Sequence, residues 1–77
     1  MLRIRLLSPY EQIDFVKICS NYEPDITLHK GRLEVDAKSL MGVMSVDCKF
    51  DCYITIGTDD SDVIKQIEQD LSAYSYE

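Results

Sequence analysis

The chain is poor in glycine and proline, with three and two of them in 77 residues. No stretch therefore reads as a flexible linker or a low-complexity tract, and no internal repeat is visible. Its apolar runs are only a few residues long, too short to cross a bilayer. The opening Met1-Leu2-Arg3-Ile4-Arg5-Leu6-Leu7 has charges inside its apolar pattern, so it is not a signal peptide, and a cytoplasmic location is the expectation. Basic residues are scarce. Lys and Arg number 8 against 14 Asp and Glu, a net charge of −6. The first 43 residues are balanced, and the whole acidic excess falls in residues 44–77. With no basic stripe to meet a phosphate backbone, a nucleic-acid partner is excluded. The acidic half suits either a basic protein partner or a solvated face that aids solubility.

Reactive constellations are missing too. Histidine occurs once, at His29. The three cysteines, Cys19, Cys48 and Cys52, are odd in number and read as reduced thiols. On an extended strand Cys48 and Cys52 would stand about 13 Å apart, too far for one zinc or one disulfide. Cys19 and Cys52 read as small buried side chains, and Cys48 as the one that can remain exposed. Gly31, Gly42 and Gly57 are isolated, without the spacing of a phosphate loop. Asp59-Asp60-Ser61-Asp62 lacks the twelve-residue cation-loop pattern and reads as a capped helix start. No nucleophile–base pair and no metal cluster appears. No cofactor is expected, and a conventional enzyme is the least supported class.

What is present is a clear alternation of elements in one small domain spanning residues 1–77. Leu2, Ile4 and Leu6 alternate with Arg3 and Arg5, predicting a half-buried strand over 2–7. Ser8-Pro9, with Glu11 three residues after Ser8, is a capping-box pattern that opens a helix over 9–20. Its buried stripe is Ile13, Val16 and either Phe15 or Cys19. Residues 25–29 and 32–38 alternate as a hairpin about Lys30-Gly31. Phe50, Cys52, Ile54 and Ile56 mark a strand over 50–56. Val63, Ile64, Ile67, Leu71 and Tyr74 form the stripe of a helix over 61–73, and Tyr74 to Glu77 is expected to fray. Ile4, Leu6, Phe15, Val16, Ile26, Leu28, Leu33, Val35, Ile54, Ile56, Ile64, Ile67 and Leu71 are the expected core. The fold class is α+β: an open-faced β-sandwich of one four-stranded antiparallel sheet with three helices on one face, in the order β-α-β-β-α-β-α.

The change of period at Ser39 organises the chain. Leu33, Val35 and Ala37 alternate with polar residues up to Lys38. Then Leu40, Met41, Val43 and Met44 crowd into a turn or two, so a strand stops and a short helix over 40–45 starts with Ser39 as its cap. The run Lys38-Ser39-Leu40-Met41-Gly42-Val43-Met44-Ser45 resembles the regulatory-serine segment of HPr, the histidine-containing phosphocarrier family of the bacterial sugar phosphotransferase system. Phe15-Val16-Lys17, Asp25-Ile26-Thr27 and Gly31 extend the resemblance over nearly the whole chain.

The resemblance implies an HPr-like fold, a regulatory phosphorylation site at Ser39, and a partner-docking surface at Leu40, Met41, Val43 and Met44. The partners it implies are other proteins, such as a serine kinase or a transcription regulator of sugar uptake. Each feature has a purely structural reading beside it: Ser39 as an N-cap, Leu40 and Val43 as core, and the methionines as its cover. One part of the family pattern is absent. HPr places a histidine at the start of the first helix, followed two residues on by arginine and then proline, and a phosphoryl group there is favoured by free N–H groups. Here the matching region is Leu7-Ser8-Pro9-Tyr10-Glu11-Gln12, with neither residue and with a carboxylate instead. His29 reads as an exposed turn residue. The expected function is that of a non-catalytic HPr-like regulatory or binding domain. A phosphocarrier using Ser8 or His29, or an HPr fold reused as an interaction module unrelated to sugar transport, is the alternative. Nothing in the sequence sets an oligomeric state.

Overall fold

The computed structural model describes residues 1–76. The chain runs β1 (Leu2–Ile4), α1 (Pro9–Ser20), β2 (Ile26–Lys30), β3 (Leu33–Asp36), α2 (Leu40–Met44), β4 (Cys52–Ile56) and α3 (Ser61–Asp70), which is the predicted order. All pairings are antiparallel, and the sheet order is β1-β4-β2-β3. The register sets Leu2, Ile54, Leu28 and Val35 side by side, with Ile4 opposite Cys52 and Ile26 opposite Ile56. Because side chains alternate with period two, this register turns the apolar set toward the helices. It leaves Arg3, Tyr53, His29, Glu34, Thr27 and Thr55 on the open face. A two-residue turn, Gly31-Arg32, closes the β2–β3 hairpin, with Gly31 at φ +58°, a conformation that costs glycine little.

Two ends of the fold differ from expectation. β1 is shorter than predicted because its backbone changes partners after Ile4. The Arg5 N–H donates to Tyr74 O at 2.8 Å and the Leu6 N–H to Cys48 O at 2.9 Å. The tail is not frayed over 74–76: Ser75 bridges Ile4, and the Tyr76 N–H donates to Arg3 O at 3.1 Å. Arg5 stacks over the Tyr76 ring at 4.4 Å. The tail thus covers the outer edge of β1, where unpaired backbone groups would otherwise remain. Glu77 lies outside the described residues. Helix α3 ends at Asp70, and Leu71 beyond it is still fully buried.

The core sits between the sheet and the helices. Ile4, Leu6, Phe15, Val16, Ile26, Leu28, Ile54, Ile67 and Leu71 are buried as expected. Val35, Ile56 and Ile64 are only half-buried. Leu33 is 56% exposed, because it stands at the hairpin end of β3, the free edge of the sheet. Ile13 is exposed as well: the buried arc of α1 is Phe15, Val16 and Cys19. Ala37, Val43, Val46 and Cys48 complete the core. No helix is long and apolar enough to cross a membrane among the described residues.

Candidate functional site

Asp36 shapes the entry to α2. Its Oδ1 accepts from the Lys38 N–H at 2.9 Å and its carbonyl from the Ser39 N–H at 2.9 Å, which stops β3 and turns the chain. Ser39 is extended, at φ −101° and ψ 112°, and its Oγ accepts from the Gly42 N–H at 3.2 Å. This is the N-cap expected of it. A glycine at 42 leaves room for that bond: a Cβ there would lie 3.3 Å from both Ser39 Oγ and Val35 Cβ. At the other end, Ser45 Oγ donates to Gly42 O at 2.6 Å.

Lys38 serves the neighbouring helix rather than Ser39. Its Nζ donates to Tyr22 O at 2.6 Å and Glu23 O at 3.2 Å, carbonyls just past the end of α1. The ammonium therefore neutralises the carbonyl end of α1 and fixes the strand that leads to Ser39.

The predicted docking surface divides. Val43 is fully buried and belongs to the core. Leu40, Met41 and Met44 are 39%, 87% and 46% exposed. Leu40 is thus on the surface with the methionines, not beneath them. Helix α1 runs beside α2, and Gln12 Nε2 joins them by donating to Val43 O at 3.3 Å and to Cys48 Sγ at 3.7 Å. Gln12 escaped the sequence reading, although a signal existed: it sits three and four residues before Phe15 and Val16, a polar side chain on the buried stripe.

The start of α1 closes on itself. Ser8 Oγ accepts from the Glu11 N–H at 3.2 Å, and Glu11 Oε1 accepts from the Leu7 N–H at 3.0 Å. The capping box forms, with its return bond reaching Leu7 rather than Ser8. A cleft of about 240 Å³ opens beside it, lined by Leu6, Leu7, Ser8, Pro9, Gln12 and Cys48 among others. His29 lies elsewhere, in β2 and half-buried rather than in an exposed turn. It stacks on Tyr53 at 4.6 Å with an interplanar angle of 6°, and its Nε2 is 2.8 Å from Thr55 Oγ1. It faces the open side of the sheet, opposite the helices.

The cysteines also depart from expectation. Cys48 is buried, like Cys19 and Cys52. Residues 47–51 turn instead of extending, with Asp51 at φ +62°, so the extended separation does not apply to Cys48 and Cys52. Burial pushes the Cys19 thiol up to about 12, Lys38 opposing, and the Cys52 thiol up to about 11. Among the described residues, no three or more His, Cys, Asp or Glu side chains are placed to hold a metal.

Comparison with known proteins places this arrangement. The family model described as the PTS HPr component phosphorylation site matches residues 13–73, from within α1 to just past α3. The chain belongs to the HPr family. Two solved structures are similar to it. The phosphocarrier protein HPr from Bacillus anthracis str. Ames is 28% identical, with a TM-score of 0.66, covering 95% of this chain and 90% of that one. HPr-C-His from Thermoanaerobacter tengcongensis is 23% identical, with a TM-score of 0.72, covering 95% of this chain and 88% of that one. The HPr family is one of phosphocarriers, not catalysts, and its members interact with other proteins of the phosphotransferase system. The match begins after the start of α1, Ser8-Pro9-Tyr10-Glu11, and the chain's one histidine stands on the face of the sheet opposite the helices.

Proposed function

We propose that this HPr-family domain acts by binding protein partners through α2, with Ser39 as its point of control, and that it carries no phosphoryl group on histidine. The observation that supports this most is the start of α1. Ser8 Oγ takes the Glu11 N–H, and the Glu11 carboxylate, turned back onto the Leu7 N–H, occupies the end where a phosphoryl group would need positive charge. The α2 side keeps what docking needs: a fixed helix start and an outward Leu40, Met41 and Met44, adaptable side chains on an exposed apolar surface.

A phosphate on Ser39 would add about two negative charges beside that surface. Asp36 opposes the added charge, and Lys38 is held at the end of α1. Modification would therefore act by repelling or exchanging a partner rather than by tightening the helix. The partners are a serine kinase and a regulator of sugar uptake, and the setting is the cytoplasm. Treatment with ATP and an HPr-type serine kinase tests the control point. Phosphate is expected on Ser39 and absent from Ser39→Ala. Met41→Glu should slow the transfer at unchanged stability, because Met41 touches no core. Phosphate on another residue, or none, removes Ser39 from this role.

A further inference from the structure

The proposed function does not draw on the thiols of Cys48 and Cys52. Cys48 Sγ donates to Val46 O at 3.3 Å, and Cys52 Sγ donates to Asp47 O at 3.6 Å. Those carbonyls belong to adjacent residues, so both sulfurs are held over the same stretch of turn. Both side chains are buried in the same core cluster, with three residues of turn between them. Lys30 Nζ donates to the same Asp47 O at 2.7 Å and approaches Asp47 Oδ2 at 3.8 Å, which stations an ammonium beside the pair. Cys19 stands apart, buried in α1.

We propose that Cys48 and Cys52 are a modification site, forming a reversible intramolecular disulfide by exchange with a small-molecule disulfide of the oxidised-glutathione class. One cysteine thiolate attacks a sulfur of the small disulfide, whose S–S bond breaks and releases one thiolate. The second cysteine then attacks the protein sulfur of the mixed disulfide and releases the other. Two protein thiols become one disulfide, and the small disulfide is reduced to two thiols.

The turn supplies both proximity and access. Its residues 47–51 lie outside helix and strand, Asp51 sits in the left-handed region uncommon for a side-chain-bearing residue, and Asp47, Lys49, Phe50 and Asp51 are exposed. Burial holds both thiols neutral while the turn is closed, so exchange proceeds when it opens, with Lys30 favouring the thiolate. Oxidation would remove the Cys48 thiol from Gln12 and from Val43 O, loosening the seam between α1 and α2.

The test is incubation of the native chain with oxidised glutathione, then denaturation and alkylation of the remaining thiols. Free thiols should fall from three to one, peptide mapping should link Cys48 to Cys52, and dithiothreitol should restore all three. Cys19→Ser should fall from two to none. Cys52→Ser should give no internal link; if it does not fold, Cys19→Ser alone carries the test. Three free thiols after incubation, a link through Cys19, or a glutathione adduct as the sole product would overturn the proposal.

Discussion

Replacing Ser39 separates capping from any other role. Helix α2 has five residues, far too few to hold without its ends and its packing. Its first turn contains no acidic side chain, so Ser39 Oγ is the side-chain acceptor at that end. Ser39→Ala removes the bond to the Gly42 N–H, and loss of an N-cap costs about 1 kcal/mol. In a domain of this length that corresponds to a fall in Tm of roughly 4–8 °C. Ser39→Asp should stay within about 0.5 kcal/mol of the parent, since aspartate caps equally well. The nearby Asp36 carboxylate offsets what its charge gains at the helix end. Gly42→Ala offers a cross-check. In an open helix interior it would stabilise by roughly 0.5–1 kcal/mol. Here the new Cβ would press on Ser39 Oγ and Val35, so the gain should vanish. Urea denaturation followed by far-UV circular dichroism reads all three. A loss of more than about 2 kcal/mol in Ser39→Asp, beyond any cap effect, would refute the assignment of Ser39 as the cap.

Further predictions concern the rest of the fold. Ile67 is fully buried, so Ile67→Ala should cost about 2–5 kcal/mol and bring the chain near global unfolding, measured by the denaturation midpoint. Lys38→Met should cost about 1.5–3 kcal/mol by stripping Tyr22 O and Glu23 O of a charged donor; an unchanged midpoint would contradict the role given to Lys38. The Tyr74 hydroxyl donates to Asp14 Oδ2 at 2.5 Å, which raises Tyr74 from 10.0 to about 12. The folded state holds this proton more tightly, so the contribution is complete below pH 10.0 and is lost as pH rises through about 12. Ultraviolet titration should show a late tyrosinate step that moves earlier in Asp14→Asn, and a single step for all five tyrosines would contradict it.

The element order was legible because each boundary carries its own chemistry. Ser8-Pro9 opens α1 at the predicted residue, Asp60 caps α3 through the Asp62 and Val63 N–H groups, and Ser39 caps α2. Strand ends were less legible because their partners lie far along the chain. β1 stops at Ile4 because Arg5 and Leu6 find Tyr74 and Cys48, a pairing no local pattern encodes. Leu33 looked like core because alternation marks a face and does not say which strand is at the edge. At the site, the Ser39 cap and the short helix after it followed from the period change. Lys38 and the Cys48–Cys52 proximity did not. A lysine bonding carbonyls 15 and 16 residues back has no spacing rule, and a turn at Asp51 is not announced by glycine or asparagine.

A chain of the HPr family that works without a histidyl phosphate should take none from the phosphotransferase system. The most direct measurement is incubation with radiolabelled phosphoenolpyruvate and the upstream phosphotransferase of the sugar system, followed by an assay for acid-labile phosphate. The chain should stay unlabelled, because α1 opens with the Ser8 cap and Glu11, and His29 stands on the opposite face of the sheet. Acid-labile phosphate on His29 would contradict it.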